Sequence, residues 1–134
     1  MKKVLVVFFT LLIFGCNTTP KESISTDSFH LTSNDPEYGY TEKKPIELGS
    51  FLRGTKSASA HIEYFEGLIG PNGEKVKVTR LGSCCAFEDK SMPFGGGLLD
   101  RYQLTYEGQE KPAIIYVNLY KFNKPLAPKG FSLL

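Results

Sequence analysis

The stretch "EKVKVTRL" alternates: Val76 and Val78 point one way, Lys75, Lys77 and Thr79 the other. A period of two with one apolar face predicts a half-buried strand. "LLDRYQLTYEG" repeats the pattern, with Tyr102, Leu104 and Tyr106 set against Arg101, Gln103, Thr105 and Glu107. After a turn at residues 108–112, "AIIYVNLYKF" is β-branched and aromatic on both faces, which predicts a central, doubly covered strand. The short turn makes these two strands a hairpin. In "TKSASAHIEYFEGLIGPNGE", Ala58, Ile62, Phe65 and Leu68/Ile69 recur at spacings of three and four, the period of a helix. Ser57 or Ser59 caps its start, Glu63 and Glu66 face solvent, and Gly70-Pro71-Asn72-Gly73 ends it. Pro36 and Pro45 divide "DPEYGYTEKKPIELG" into extended pieces, with a short strand near Ile46 and Leu48 and with Tyr38 and Tyr40 adding apolar surface. The tail "APKGFSLL" is too rich in Pro and Gly for a regular element, with Phe131 tucking back onto the sheet. The order is strand, helix, strand, long loop, strand, strand. It predicts an α+β fold: a single small domain with a mainly antiparallel sheet and one helix packed on one face.

The start of the chain follows no such period. Lys2 and Lys3 precede an apolar run at residues 4–14, broken only by Thr10. Eleven residues match the h-region of a signal peptide and are too few to span a bilayer as a helix. Gly15 then precedes Cys16. The run "IFGC" resembles the bacterial lipoprotein signal, with an aliphatic residue at −3 and a small one at −1; Phe14 is bulkier than is usual between them. The resemblance implies cleavage before Cys16 and acylation of that residue, on sulfur and on its new amino group, with palmitate or a similar chain. The alternative is an ordinary secretory signal with an incidental cysteine. Each buried methylene contributes roughly 0.8 kcal/mol, so one chain binds reversibly, whereas two or three hold the protein to the membrane. Asn17, where Asp retains enterobacterial lipoproteins in the inner membrane, leans toward the outer one.

Charge follows from that division. Removal of residues 1–15 leaves 119 residues, and the loss of Lys2 and Lys3 leaves 14 basic residues against 14 acidic ones. A neutral mature chain without blocks of like charge carries no footprint for nucleic acid. Its size suits one domain. The Ser-, Thr-, Asp- and Asn-rich residues 16–35 read as the lipidated cysteine and a flexible tether, and residues 36–134 as the globular domain. His30 falls in the tether and reads as solvated. His61, on the helix, reads as a surface or satisfied histidine.

Export also sets the redox setting, since thiols outside the cytoplasm tend to be oxidised. With Cys16 acylated, Cys84 and Cys85 are the remaining cysteines, and they are neighbours in "RLGSCCAFED". Four readings stand. They form a vicinal disulfide, structural or redox-active, in a tight turn beside Gly82 and Ser83. They stay reduced at a strand end, pointing to opposite faces. They bridge to another chain. Or they join ligands such as His61 or Asp89 in a metal site, although no zinc-type spacing is present. Nucleophilic catalysis by either one needs a base such as His61 and an orienting carboxylate such as Asp89 or Asp100. "PFGGGLLD" matches neither dinucleotide nor phosphate-loop spacing and precedes a strand, so nucleotide binding is rejected. Its glycines turn the loop into the strand.

The runs "GPNGEKV", "RLGSCCAFE", "GGGLLDRYQLTYEG" and "APKGF" together resemble a family of small lipoproteins from Bacteroidetes-type bacteria, over Tyr38 to Phe131. The resemblance implies an envelope address and carries over no catalytic residues and no cofactor. Members of that family often carry the name 2-dehydro-3-deoxyphosphooctonate aldolase. Enzymes so named are cytoplasmic (β/α)₈ barrels, which need about 200 residues or more, and a 119-residue exported chain with one clear helix cannot build one. Two function classes remain. One is a non-enzymatic module anchored through Cys16 that binds an envelope protein or glycan through its Tyr-, Gly- and Pro-rich loops. The other is a thiol-redox or thiol-dependent enzyme using Cys84 and Cys85.

Overall fold

The alternating segments lie side by side as an antiparallel pair. In the computed structural model, which describes residues 31–49 and 60–134, the elements are β1 (Ile46–Glu47), α1 (Ala60–Gly67), β2 (Leu68–Ile69), β3 (Lys77–Glu88), β4 (Gly96–Thr105), β5 (Ala113–Asn118) and β6 (Ser132–Leu133). The expected signal peptide, Cys16, His30, and the expected helix cap at Ser57 or Ser59 lie outside the described residues. One sheet has the order β1-β5-β4-β3, antiparallel except for the parallel β1·β5 pair. The fold is α+β, with one helix on the described chain and a mainly antiparallel sheet. Among the described residues, no helix is long and apolar enough to cross a membrane.

The core lies on the sheet face that carries Tyr102, Leu104, Ile115 and Val117. It is closed by Ile46, Leu48 and the tail residues Phe131 and Leu133. β5 is central, but its cover is one-sided. Ile115 and Val117 are fully buried, while Ile114 and Tyr116 on the opposite face remain half-exposed.

Four local expectations change. First, α1 buries Tyr64 and leaves Ile62 exposed. The helix ends at Gly67, so the apolar stripe that counted Leu68 and Ile69 loses its last turn. Tyr64 instead fills the core, and its hydroxyl donates to the Leu126 carbonyl at 2.9 Å. Second, Leu68 and Ile69 are a strand. They pair antiparallel with Ser132 and Leu133 in the tail, which does form a regular element. Its proline and glycine come before that strand, in the turn closed by Phe131 N–H and Pro128 C=O at 3.0 Å. Third, the folded body extends back beyond residue 36, at least to Leu31. Ser33 N–H donates to Ala127 C=O and Ala127 N–H to Leu31 C=O, both at 2.8 Å, and the Thr32 hydroxyl donates to the Phe131 carbonyl. Residues 31–33 of the expected tether pair with the tail, mainly through backbone. Fourth, β3 continues through both cysteines to Glu88, and the long loop shrinks to residues 89–95.

Candidate functional site

β3 is an edge strand and carries two irregularities. Arg80 faces Tyr102 and Gly82 faces Arg101, so Leu81 is extra. Ser83 faces Asp100 and Ala86 faces Leu98, so Cys84 and Cys85 together oppose Leu99. Each is a bulge, which bends the strand and re-aims its side chains. The first has a direct consequence. Residues 80 and 83 are three apart and would point to opposite faces of a regular strand. The extra Leu81 returns both to the face of Asp100. Arg80 grips that carboxylate with two bonds, Nε to Oδ2 at 2.9 Å and Nη2 to Oδ1 at 3.0 Å. The Ser83 hydroxyl donates to Oδ1 at 2.7 Å. Burial alone would raise the Asp100 carboxyl, but the hydrogen bonds from Arg80 and Ser83 outweigh it and hold the group below its ordinary value. The Asp100 side chain is 9% exposed, whereas the Arg80 side chain is 53% exposed.

The second bulge holds the cysteine pair. Cys84 and Cys85 are joined to each other as a disulfide, with Cα atoms 3.7 Å apart, and both residues are half-buried. The groups that could have served a thiol are engaged elsewhere. Asp89 pairs with Lys121 at 2.5 Å and accepts from Ser91, Asp100 is held by Arg80 and Ser83, and His61 sits in the first turn of α1, lining the cleft beside that helix. Among the described residues there is no cluster of three or more His, Cys, Asp or Glu side chains able to hold a metal ion.

The bond from Lys121, with those from Ser91 behind it, holds the Asp89 carboxyl down to about 2. A carboxylate so lowered contributes stability above its unfolded value of about 3.9 and loses it as pH falls toward 2. The hairpin end of β3 and β4 is therefore expected to loosen between about pH 4 and pH 2, and Lys121→Met to narrow that acid dependence. Amide exchange at residues 86–98, followed against pH, measures it.

Between α1 and the β3 side of the sheet lies an open cleft of about 640 Å³. Ile62, Phe65, Val76, Val78 and Tyr102 make its apolar walls, with Leu68 beside them. The Phe65 and Tyr102 rings sit 4.6 Å apart and form its floor. Ile69 bridges to Lys75, so the C-terminal end of α1 lies over the start of β3. His61, at the other end of the helix, is then brought toward Arg80. That end has four polar groups. Arg80 is fixed by Asp100, the Tyr102 hydroxyl lies beside the guanidinium, and His61 Nδ1 is shielded from solvent with no hydrogen-bond partner. Lys75 and Glu66 line the opposite end. Beyond Arg80 a smaller recess of about 230 Å³ continues along Ser83, Leu98, Asp100, Leu119 and Tyr120.

Sequence reasoning singled out Cys84, Cys85, His61, Asp89 and Asp100, and the structure does not assemble them into one site. It missed Arg80, Ser83 and Tyr102 as a group, because a cation at the end of the alternation looks solvated even on the face of Val76 and Val78, and nothing in "RLGSCC" announces that Leu81 is skipped. No family model, curated protein or solved structure matches this chain.

Proposed function

We propose that the protein is a lipid-anchored envelope module that binds a partner and performs no chemistry on it. The observation that carries this reading is the open, apolar-walled cleft beside α1, polar at both ends, with Asp100 and Asp89 already committed to cations and hydroxyls. The lipoprotein-like signal ending at Cys16 and the resemblance to small Bacteroidetes-type lipoproteins supply the address. The envelope location, and the outer membrane within it, follow from Cys16 and Asn17. Phe94, 94% exposed in the loop between β3 and β4, offers a second contact point for an envelope protein or glycan.

The anchor is tested by metabolic labelling with an alkyne analogue of palmitate. Label on the full chain that disappears in Cys16→Ala supports it, and label that persists overturns it.

The competing reading uses the Cys84–Cys85 disulfide for redox or thiol chemistry, and its half-exposed position on an edge strand favours testing it. Closing so short a loop removes little chain entropy, so Cys84→Ser with Cys85→Ser is expected to cost about 1 kcal/mol or less. Partner capture should survive that double substitution. If capture is lost while urea unfolding shows an intact fold, the thiol reading replaces the module. Alkylation with and without reduction should show no label before and two labels after.

A further inference from the structure

We infer that the cleft between α1 and β3 is a binding site for an amphipathic carboxylate: an aromatic or short acyl body ending in a single carboxylate group. The inference rests on the reading of the protein as a binding module and names what it binds. The cleft is polarised along its length. Arg80 and Lys75 are five residues apart on an extended chain, roughly 17 Å, and the walls between them, Val76, Val78, Phe65 and Ile62, are apolar. At the Arg80 end the charged group open to a ligand is a hydrogen-bond donor. A guanidinium offers five N–H bonds in a planar fork. Asp100 and Ser83 engage Nε and Nη2, and the guanidinium is also hydrogen-bonded to the Tyr102 side chain, which leaves part of the fork for a ligand. The Tyr102 hydroxyl stands beside it, and burial raises that hydroxyl, so it keeps its proton. His61 Nδ1 is the one polar atom of the cleft shown to lack a partner.

Asp100 lies behind Arg80 and cancels much of its charge. The corner therefore selects an acceptor-only group by its donors rather than by net positive charge. A carboxylate accepts on both oxygens and carries no donor to clash with the fork. An alcohol satisfies fewer of these bonds, and an ammonium adds donors where donors already stand. Glu66 and Lys75 at the far end are of opposite sign and leave that end without a preference for a second charge. An apolar body in the middle and one carboxylate at Arg80 is the ligand this layout fits.

The test uses the full chain in lipid nanodiscs and a photoreactive probe, trifluoromethyl-diazirinyl benzoate. After irradiation the labelled peptides are mapped by mass spectrometry, with phenylbutanoate, phenylbutanol and phenylbutylamine as competitors. The expected label falls on peptides holding Ile62, Phe65, Val76 or Val78, and phenylbutanoate displaces it at least tenfold better than the alcohol or the amine. Val78→Trp, which fills the cleft, should abolish labelling there. Arg80→Lys keeps a cation for Asp100 but loses the fork, and should weaken competition about tenfold. Should that variant misfold, Tyr102→Phe tests the same corner with a smaller perturbation. Label spread over the surface, or equal competition by all three compounds, overturns the assignment and leaves the module reading standing. Chemical conversion of phenylbutanoate during incubation overturns the module reading itself.

Discussion

Gly96→Ala is expected to prevent the β3–β4 hairpin from closing. Gly96 begins β4 opposite Glu88, at φ +149°, and a Cβ built there would lie 1.9 Å from the Phe87 carbonyl oxygen. The obstacle is backbone, so no rotamer change relieves it. Relief requires β3 and β4 to separate where their pairing begins. The expected cost is about 3 kcal/mol or more, the range of backbone strain added to lost pairing, a large share of the stability of a domain this size. The neighbouring glycines provide the contrast. Gly95 has positive φ but open space around it, so Gly95→Ala should cost only about 1 kcal/mol. At Gly97 the obstacles are the rings of Tyr120 and Phe87, which can move, and an intermediate loss is expected. Urea unfolding of the three variants should rank them Gly95, Gly97, Gly96. An equal ranking would show that the close approach at Phe87 does not hold in solution.

The Arg80–Asp100 pair should respond unequally to loss of its two partners. Arg80→Leu strands a nearly buried carboxylate with only the Ser83 hydroxyl to satisfy it, and is expected to cost about 2–3 kcal/mol, below the full value for a buried pair because the Arg80 side chain is about half exposed to water. Asp100→Asn leaves a guanidinium that solvent can still reach, and should cost about 1 kcal/mol. The pH dependence gives a further check. The wild-type carboxyl is held below its ordinary value, so the pair's contribution is present above the unfolded value of about 3.9 and fades as pH falls below it. The gap between wild type and Arg80→Leu should therefore shrink as pH falls: the stranded carboxyl, raised by burial, takes up its proton above its ordinary value, and the wild-type pair loses its contribution below about 3.9. Stability curves for both variants between pH 2 and pH 7 measure this. A larger loss in Asp100→Asn than in Arg80→Leu would mean that the network acts through Arg80 alone.

Much of the fold was legible because period reports directly on which face a side chain takes. The alternations around Val76 and Val78, and around Tyr102 and Leu104, mark strands whose inward residues are those the structure buries or half-buries. The spacing through Ile62 and Phe65 marks a helix. The tail strand was not legible, because Ser132–Leu133 is too short to show a period and exists through its pairing with Leu68–Ile69. The inward turn of Tyr64 was likewise hidden. A helix of two turns has no stripe of its own, and the Leu126 carbonyl that receives the hydroxyl is 62 residues away in sequence.

The candidate site divides in the same way. The sequence alone determined the ingredients: adjacent cysteines, an arginine shortly before them, a glycine run after them, and an apolar start ending in Cys16. Only the tertiary structure decided that Leu81 is skipped, that Arg80 and Ser83 therefore meet on Asp100, and that α1 stands off from β3 to leave a cleft. The physical reason is that a bulge is a property of two strands in register. Whether residue 80 and residue 83 share a face depends on what pairs with each, and that information lies in β4 rather than in β3.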